Sequence, residues 1–155
     1  MARYRSILSL VLVLLATFLV SCGGPTVATP PPTYTTAQVA KIQEYVPEVL
    51  TVRDRATELQ RLIQTKQWIK VGNFIHGPMA EARLSMNYIA SNLLPKDQAP
   101  AREIVRDMLD HLVKIDQAAD TANYQKAVIN SQAAFTDIDN FLKLIPQPST
   151  QPQES

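Results

Sequence analysis

The chain is poor in the residues from which catalytic and metal centres are usually built. Its 155 residues contain one cysteine, two histidines and one tryptophan. A lone cysteine makes no internal disulfide, and no second one accompanies it for a structural zinc site or a covalent haem. Glycine is scarce too, the four being Gly23, Gly24, Gly72 and Gly77. There is accordingly no glycine-rich phosphate loop, no nucleophile elbow and no Asn-Gly or Asp-Gly hairpin signal. Neither sign of charge dominates, since 15 Lys and Arg stand against 14 Asp and Glu. That balance excludes a nucleic-acid binder, which needs a basic footprint. A hydrophobic share of 46% is too high for a disordered chain, and the length supports one domain.

What is present falls into four stretches. Arg3 and Arg5 precede an apolar run from Ile7 to Val20 that ends at small Ser21. This is the pattern of a secretory signal, too short to span a bilayer comfortably. Leu19-Val20-Ser21-Cys22 resembles the bacterial lipobox, in which the thiol receives a diacylglyceryl group, the signal is cut before the cysteine and the new amino terminus is acylated. Residues 1–21 are therefore expected to be removed and Cys22 to be lipidated. One acyl chain binds a membrane only reversibly, at about 0.8 kcal/mol per buried methylene, whereas two or three anchor it stably. Without Arg3 and Arg5, 13 basic residues face 14 acidic ones. Residues 22–36 include the run GGPTVATPPPTYTT, which lacks apolar periodicity and reads as an extended, semi-rigid tether to the membrane. Residues 146–155, PQPSTQPQES, read as a disordered tail.

Residues 37–145 carry a persistent helical period and no sustained alternation, which predicts helices and no strands. One stripe holds Val39, Ile42, Val46, Val49, Ala56, Leu59 and Ile63; the next holds Trp68, Val71, Ile75, Met79, Ala82, Met86, Ile89 and Leu93. A third holds Ala101, Ile104, Met108, Leu112, Ile115 and Ala119, and a fourth Tyr124, Val128, Ser131, Phe135, Ile138, Leu142 and Ile145. Short connections favour antiparallel neighbours, so the expected fold is all-α, an up-down-up-down four-helix bundle that needs no cofactor for stability. Thr36 is the expected cap of the first helix, and Thr65 marks its junction with the second. Pro95 should stop the second, Asp97 cap the third with Pro100 in its first turn, and Asp120 or Thr121 cap the fourth. Pro47 and Pro78 each delete a backbone donor, and a kink or wide turn is expected at each.

Few residues invite chemistry. Asp107 and His111 stand one helical turn apart and are candidate ligands for Zn²⁺, although two ligands make a weak site. A haem held between Met79 and His111 is the redox alternative, against which Met79 reads more simply as core. His76-Gly77-Pro78 reads as a structural joint. No constellation supports catalysis, so the chain is read as a non-enzyme. Arg53, Arg55, Arg61, Lys66 and Lys70 cluster along the first helix and the following turn, while Asp107, Asp110, Asp116 and Asp120 mark the third. The basic cluster is the candidate docking surface, by complementary potential.

Several of these residues also carry a likeness. Arg55-Ala56 with Glu58-Leu59, Leu62-Ile63, Lys66 with Trp68, Phe74-Ile75-His76-Gly77-Pro78, Arg83, Leu93-Leu94-Pro95 with Asp97-Gln98, and Ile115-Asp116 with Ala118-Ala119 resemble the PsbQ family in its cyanobacterial lipoprotein form. The likeness spans about Thr36 to Leu144, and FIHGP followed by LLPKDQ is its specific part. It implies an extrinsic subunit on the lumenal side of the thylakoid membrane. Its partners would be the photosystem II core and other extrinsic lumenal subunits, and it would support the oxygen-evolving complex without ligating the metal cluster. The lipobox and short tether depart from the plant members, which have transit peptides and a longer amino-terminal arm, so no arm residue is carried over. A zinc associated with the cyanobacterial form gives Asp107 and His111 some added weight. The alternative is a general periplasmic helical lipoprotein acting as a binding module or assembly factor.

Overall fold

The computed structural model describes residues 32–147. The signal, Cys22, most of the tether and the end of the tail lie outside the described residues. Among those described there is no strand. α1 (Thr36–Arg53) and α2 (Ala56–Gln64) form a first column; α3 (Trp68–Phe74), a π-helical turn (Ile75–Met79) and α4 (Ala80–Asn92) form a second. α5 (Pro95–Asp120) and α6 (Tyr124–Leu142) are the third and fourth.

The columns close into an antiparallel ring. α1 packs on α4 and α2 on α3; α5 lies along the second column, and α6 packs most extensively on α5 before closing on α2 and α1. Long-range hydrogen bonds fix these directions. Gln43 Nε2 donates to the carbonyl of Pro146 at 3.1 Å, joining the start of the first column to the end of the fourth. The Tyr34 hydroxyl accepts from the Leu94 amide at 3.2 Å and donates to Asp97 at 3.4 Å. The residues before α1 are thereby held against the α4–α5 turn. The protein is an all-α four-helix bundle.

The stripes fill its centre. Ile42, Val49, Leu59, Ile63, Met79, Met86, Ile89, Met108, Ile115, Ile138 and Phe141 are fully buried in one continuous core. Side chains of that size gain roughly 1.5–3 kcal/mol each when removed from water. The fourth stripe is rotated from its expected position. Ser131, Ile138 and Ile145 are buried as expected, but Ala127, Ala134 and Phe141 join Ile138 in the deepest places, Val128, Phe135 and Leu142 are partly covered, and Tyr124 is exposed.

The helix ends also differ from expectation. Thr35, not Thr36, caps α1: its side chain accepts from the Gln38 amide while Gln38 accepts from the Thr35 amide, a reciprocal capping box. α5 begins at Pro95, whose missing donor costs nothing in a first turn, and Asp97 lies inside that turn instead of capping it. Pro100 lies in the helix beyond it. α6 is capped by Asn123, whose side chain accepts from Lys126 at 3.0 Å, and not by Asp120 or Thr121. Thr65 does mark the junction of the first two columns, but as the C-terminal end of α2.

The two internal prolines behave differently. α1 runs through Pro47, which is exposed, and the column is interrupted later, at Asp54–Arg55. Around Pro78 the helix widens into the π-helical turn Ile75–Met79, as a missing donor and a ring clash inside a helix favour.

Candidate docking surface

Some of the charged side chains are spent on the fold itself. Arg53 Nε meets Asp139 of α6 at 2.8 Å. Arg55 forms a forked pair with Glu58 at 2.8 and 3.2 Å while its guanidinium stands 4.8 Å over the Phe74 ring. Each partnership raises the arginine above its ordinary value through the charge-assisted hydrogen bond, and Glu58 is lowered by its bond to Arg55. Of the five candidate docking cations, Arg61, Lys66 and Lys70 have no ion pair among the described residues. Arg55, Arg61 and Lys70 share a groove of about 360 Å³ between α2 and α3, floored by Leu62, Phe74 and Pro78. Arg53 faces a different recess with Leu142 and Lys143, and Lys66 sits in the turn with φ 54°. The basic cluster thus divides, three of its members lining one groove.

The two histidines serve as ties between columns. His111 does not turn to Asp107: its Nδ1 lies 2.8 Å from Asp137 Oδ2 on α6, with the two side chains 24% and 16% exposed. Burial raises the Asp137 carboxyl above its ordinary value; the bond and charge of His111 pull it down, and the charge of Asp107 adds to the rise. That bond occupies Nδ1, so Nε2 is the ring nitrogen open to a Zn²⁺ shared with Asp107. Among the described residues, no group of three His, Cys, Asp or Glu is gathered to hold a metal. His76 Nε2 lies 2.9 Å from Asp116 Oδ1 of α5, so the π-helical turn is tied across to the third column. Met79 is buried in the core, which is the packing role the sequence suggested for it.

Two further features escaped the sequence. A groove of about 330 Å³ between α2 and α6 has an apolar floor of Ile63, Val128 and Phe135 and a rim of Gln60, Gln64 and Gln132. Tyr45 and Tyr88 stack across α1 and α4, with ring centroids 5.0 Å apart and planes 19° apart. Neither follows a local motif, because each joins helices distant in sequence.

Ion pairs between the columns and open grooves on the faces define the class as a helical-bundle protein without a gathered metal or catalytic centre among the described residues. Comparison with known proteins gives that class its family. The family model for PsbQ, described as oxygen evolving enhancer protein 3, matches residues 2–146. The chain is 43% identical over 150 residues to CyanoQ of Synechocystis sp., covering 96% of this chain and 100% of that protein. The chain belongs to the PsbQ family. The likeness is wider than the bundle: the family match begins ahead of the apolar leader instead of at Thr36.

Proposed function

We propose that the protein is an extrinsic, non-catalytic subunit on the lumenal side of photosystem II, where it stabilises the oxygen-evolving complex and supports water oxidation. The observation that carries this reading is the family likeness from residue 2 to residue 146. Both histidines and Arg53 are engaged in ties between the bundle's own columns, which agrees with a structural part.

In this reading Cys22 carries the lipid that holds the domain at the thylakoid membrane. No helix among the described residues is long and apolar enough to cross a membrane. The basic groove of Arg55, Arg61 and Lys70, with Lys66 beside it, contributes to docking on the core and on other extrinsic subunits. Anchoring converts docking into an effectively intramolecular step at local concentrations of about millimolar for short tethers, so individually weak contacts suffice. The function requires no cofactor of its own.

The test is affinity isolation through a tag on this protein from solubilised thylakoids. The eluate is expected to contain photosystem II core subunits and to evolve oxygen. An eluate of envelope proteins without core subunits would replace this reading by that of a general periplasmic lipoprotein.

A further inference from the structure

On the other side of α3 from the basic groove lies a recess of about 320 Å³ bounded by Trp68, Ile69, Gly72, His76, Asp116 and Asp120. One wall is apolar. Ile69 is 83% exposed, the most exposed of the large hydrophobic residues described, and the Trp68 beside it is only partly covered by the core. A lone exposed isoleucine is unremarkable, but one joined to an indole at the mouth of a recess forms an apolar lip.

The opposite wall is acidic. Asp116 and Asp120 stand one turn apart on α5. His76 holds Oδ1 of Asp116 at 2.9 Å, which leaves Oδ2 without a hydrogen bond among the described residues, and Asp120 has neither hydrogen bond nor ion pair there. Gly72 lines the floor between the walls, and a Cβ there would stand 3.9 Å from Asp116 Oδ1, in ordinary van der Waals contact, so a methyl fits at the cost of some of the recess.

We propose that this recess docks a lysine or arginine side chain of a partner protein, with an apolar neighbour of that residue resting on Ile69. Charge complementarity selects the occupant. A cation is attracted to both carboxylates and to the face of an adjacent indole, and the aliphatic stem of lysine or arginine suits an apolar lip. Together with the basic groove, the recess gives the α3 ridge one cationic and one anionic flank, which favours a partner of matching polarity and opposes the reversed orientation. The inference rests on the photosystem II reading and names the surface it uses.

The experiment measures binding of the full-length lipidated protein to photosystem II particles depleted of it, across a salt series. The double variant Asp116→Asn with Asp120→Asn is expected to bind roughly tenfold more weakly and with a shallower salt dependence. Ile69→Ser should weaken binding without changing the salt slope. Gly72→Ala puts a methyl inside the recess while favouring the helix, so weakened binding by this well-folded variant supports the assignment. Double-variant binding within roughly twofold of wild type overturns it. Self-association that disappears in the double variant also overturns it, in favour of a second copy as occupant. Failure of the wild type to bind would instead defeat the photosystem II reading itself.

Discussion

Phe141 and Trp68 are both large aromatic side chains on helices, yet their surroundings set very different costs of removal. Phe141 is fully buried, so Phe141→Ala should cost about 3–5 kcal/mol, a transfer loss plus an unfilled cavity. Trp68 is half-buried at the edge of a recess, and Trp68→Ala should cost roughly 1–2 kcal/mol, in proportion to the area it covers. Urea unfolding of the two variants checks the order, and equal losses would contradict the burial pattern. Two carboxyls likewise differ by environment. Burial raises Asp137 from its ordinary 3.8, whereas Asp110 is lowered from the same 3.8 first by its hydrogen bond to Lys114. An acid raised by folding favours the fold while protonated, a contribution present below 3.8 and lost as pH rises through the raised value. The lowered Asp110 works the other way: its contribution is present above 3.8 and lost as pH falls through the depressed value. Asp110 is exposed, so salt should weaken its effect. In a carboxyl-carbon NMR titration Asp137 should therefore titrate above Asp110, and the reverse order would contradict the two environments. His111–Asp137 was not legible in the sequence, which presents Asp107 one turn away; the true partner is on another helix, 26 residues distant.

At the scale of elements, the scarcity of glycine has a measurable consequence. α2 and α5 both end in Schellman motifs. The Gln67 amide donates to Leu62 and the Lys66 amide to Ile63; the Asn123 amide donates to Ala118 and the Ala122 amide to Ala119. This motif puts its terminal residue in the left-handed region where glycine is favoured, yet the chain has Lys66 at φ 54° and Ala122 at φ 51°. A side chain there costs roughly 1–2 kcal/mol. Ala122→Gly should recover part of that and raise stability by about 0.5–1 kcal/mol, glycine's greater unfolded-state entropy offsetting the rest. A lower midpoint in thermal or urea unfolding would show that Ala122 is not strained. These caps also explain which boundaries were legible. The apolar period identified the four columns, but the ends at Lys66 and Ala122 carry no glycine signal, and the Asn123 cap follows two residues later than the expected Thr121. The fourth stripe shows a second limit. Ala127 and Val128, Ala134 and Phe135, and Phe141 and Leu142 are adjacent apolar pairs, so two stripes one residue apart satisfy the same period. Which one faces inward depends on α6 packing against α5 as well as α2 and α1, a choice no single helix contains. The recess beside α3 was hidden for the same reason: it joins Trp68 and His76 to Asp116 and Asp120 of another column.

At the scale of the molecule, the proposed docking and the proposed anchor would multiply each other. The cationic groove and the acidic recess flank α3, and exposed ion pairs of the kind such surfaces make are worth about 0–1 kcal/mol each. A few of them cannot hold a freely diffusing protein for long, but they can hold one confined to the membrane, because its second encounter is effectively intramolecular. The lipid proposed at Cys22 would therefore govern occupancy more strongly than any one charged residue. Cys22→Ser removes the thiol that accepts the diacylglyceryl group, so the variant should either remain unprocessed or leave the membrane as a soluble domain, and incorporate no labelled fatty acid. Its bundle should unfold at the same urea midpoint as that of wild type, since the core is built from residues 42–145, which do not include Cys22. Occupancy on photosystem II particles should then fall in proportion to the lost local concentration and recover when soluble protein is supplied in excess. Retained lipid labelling and membrane association would refute the anchor. Release without any loss of occupancy would show instead that the docking faces bind tightly enough to hold the protein alone.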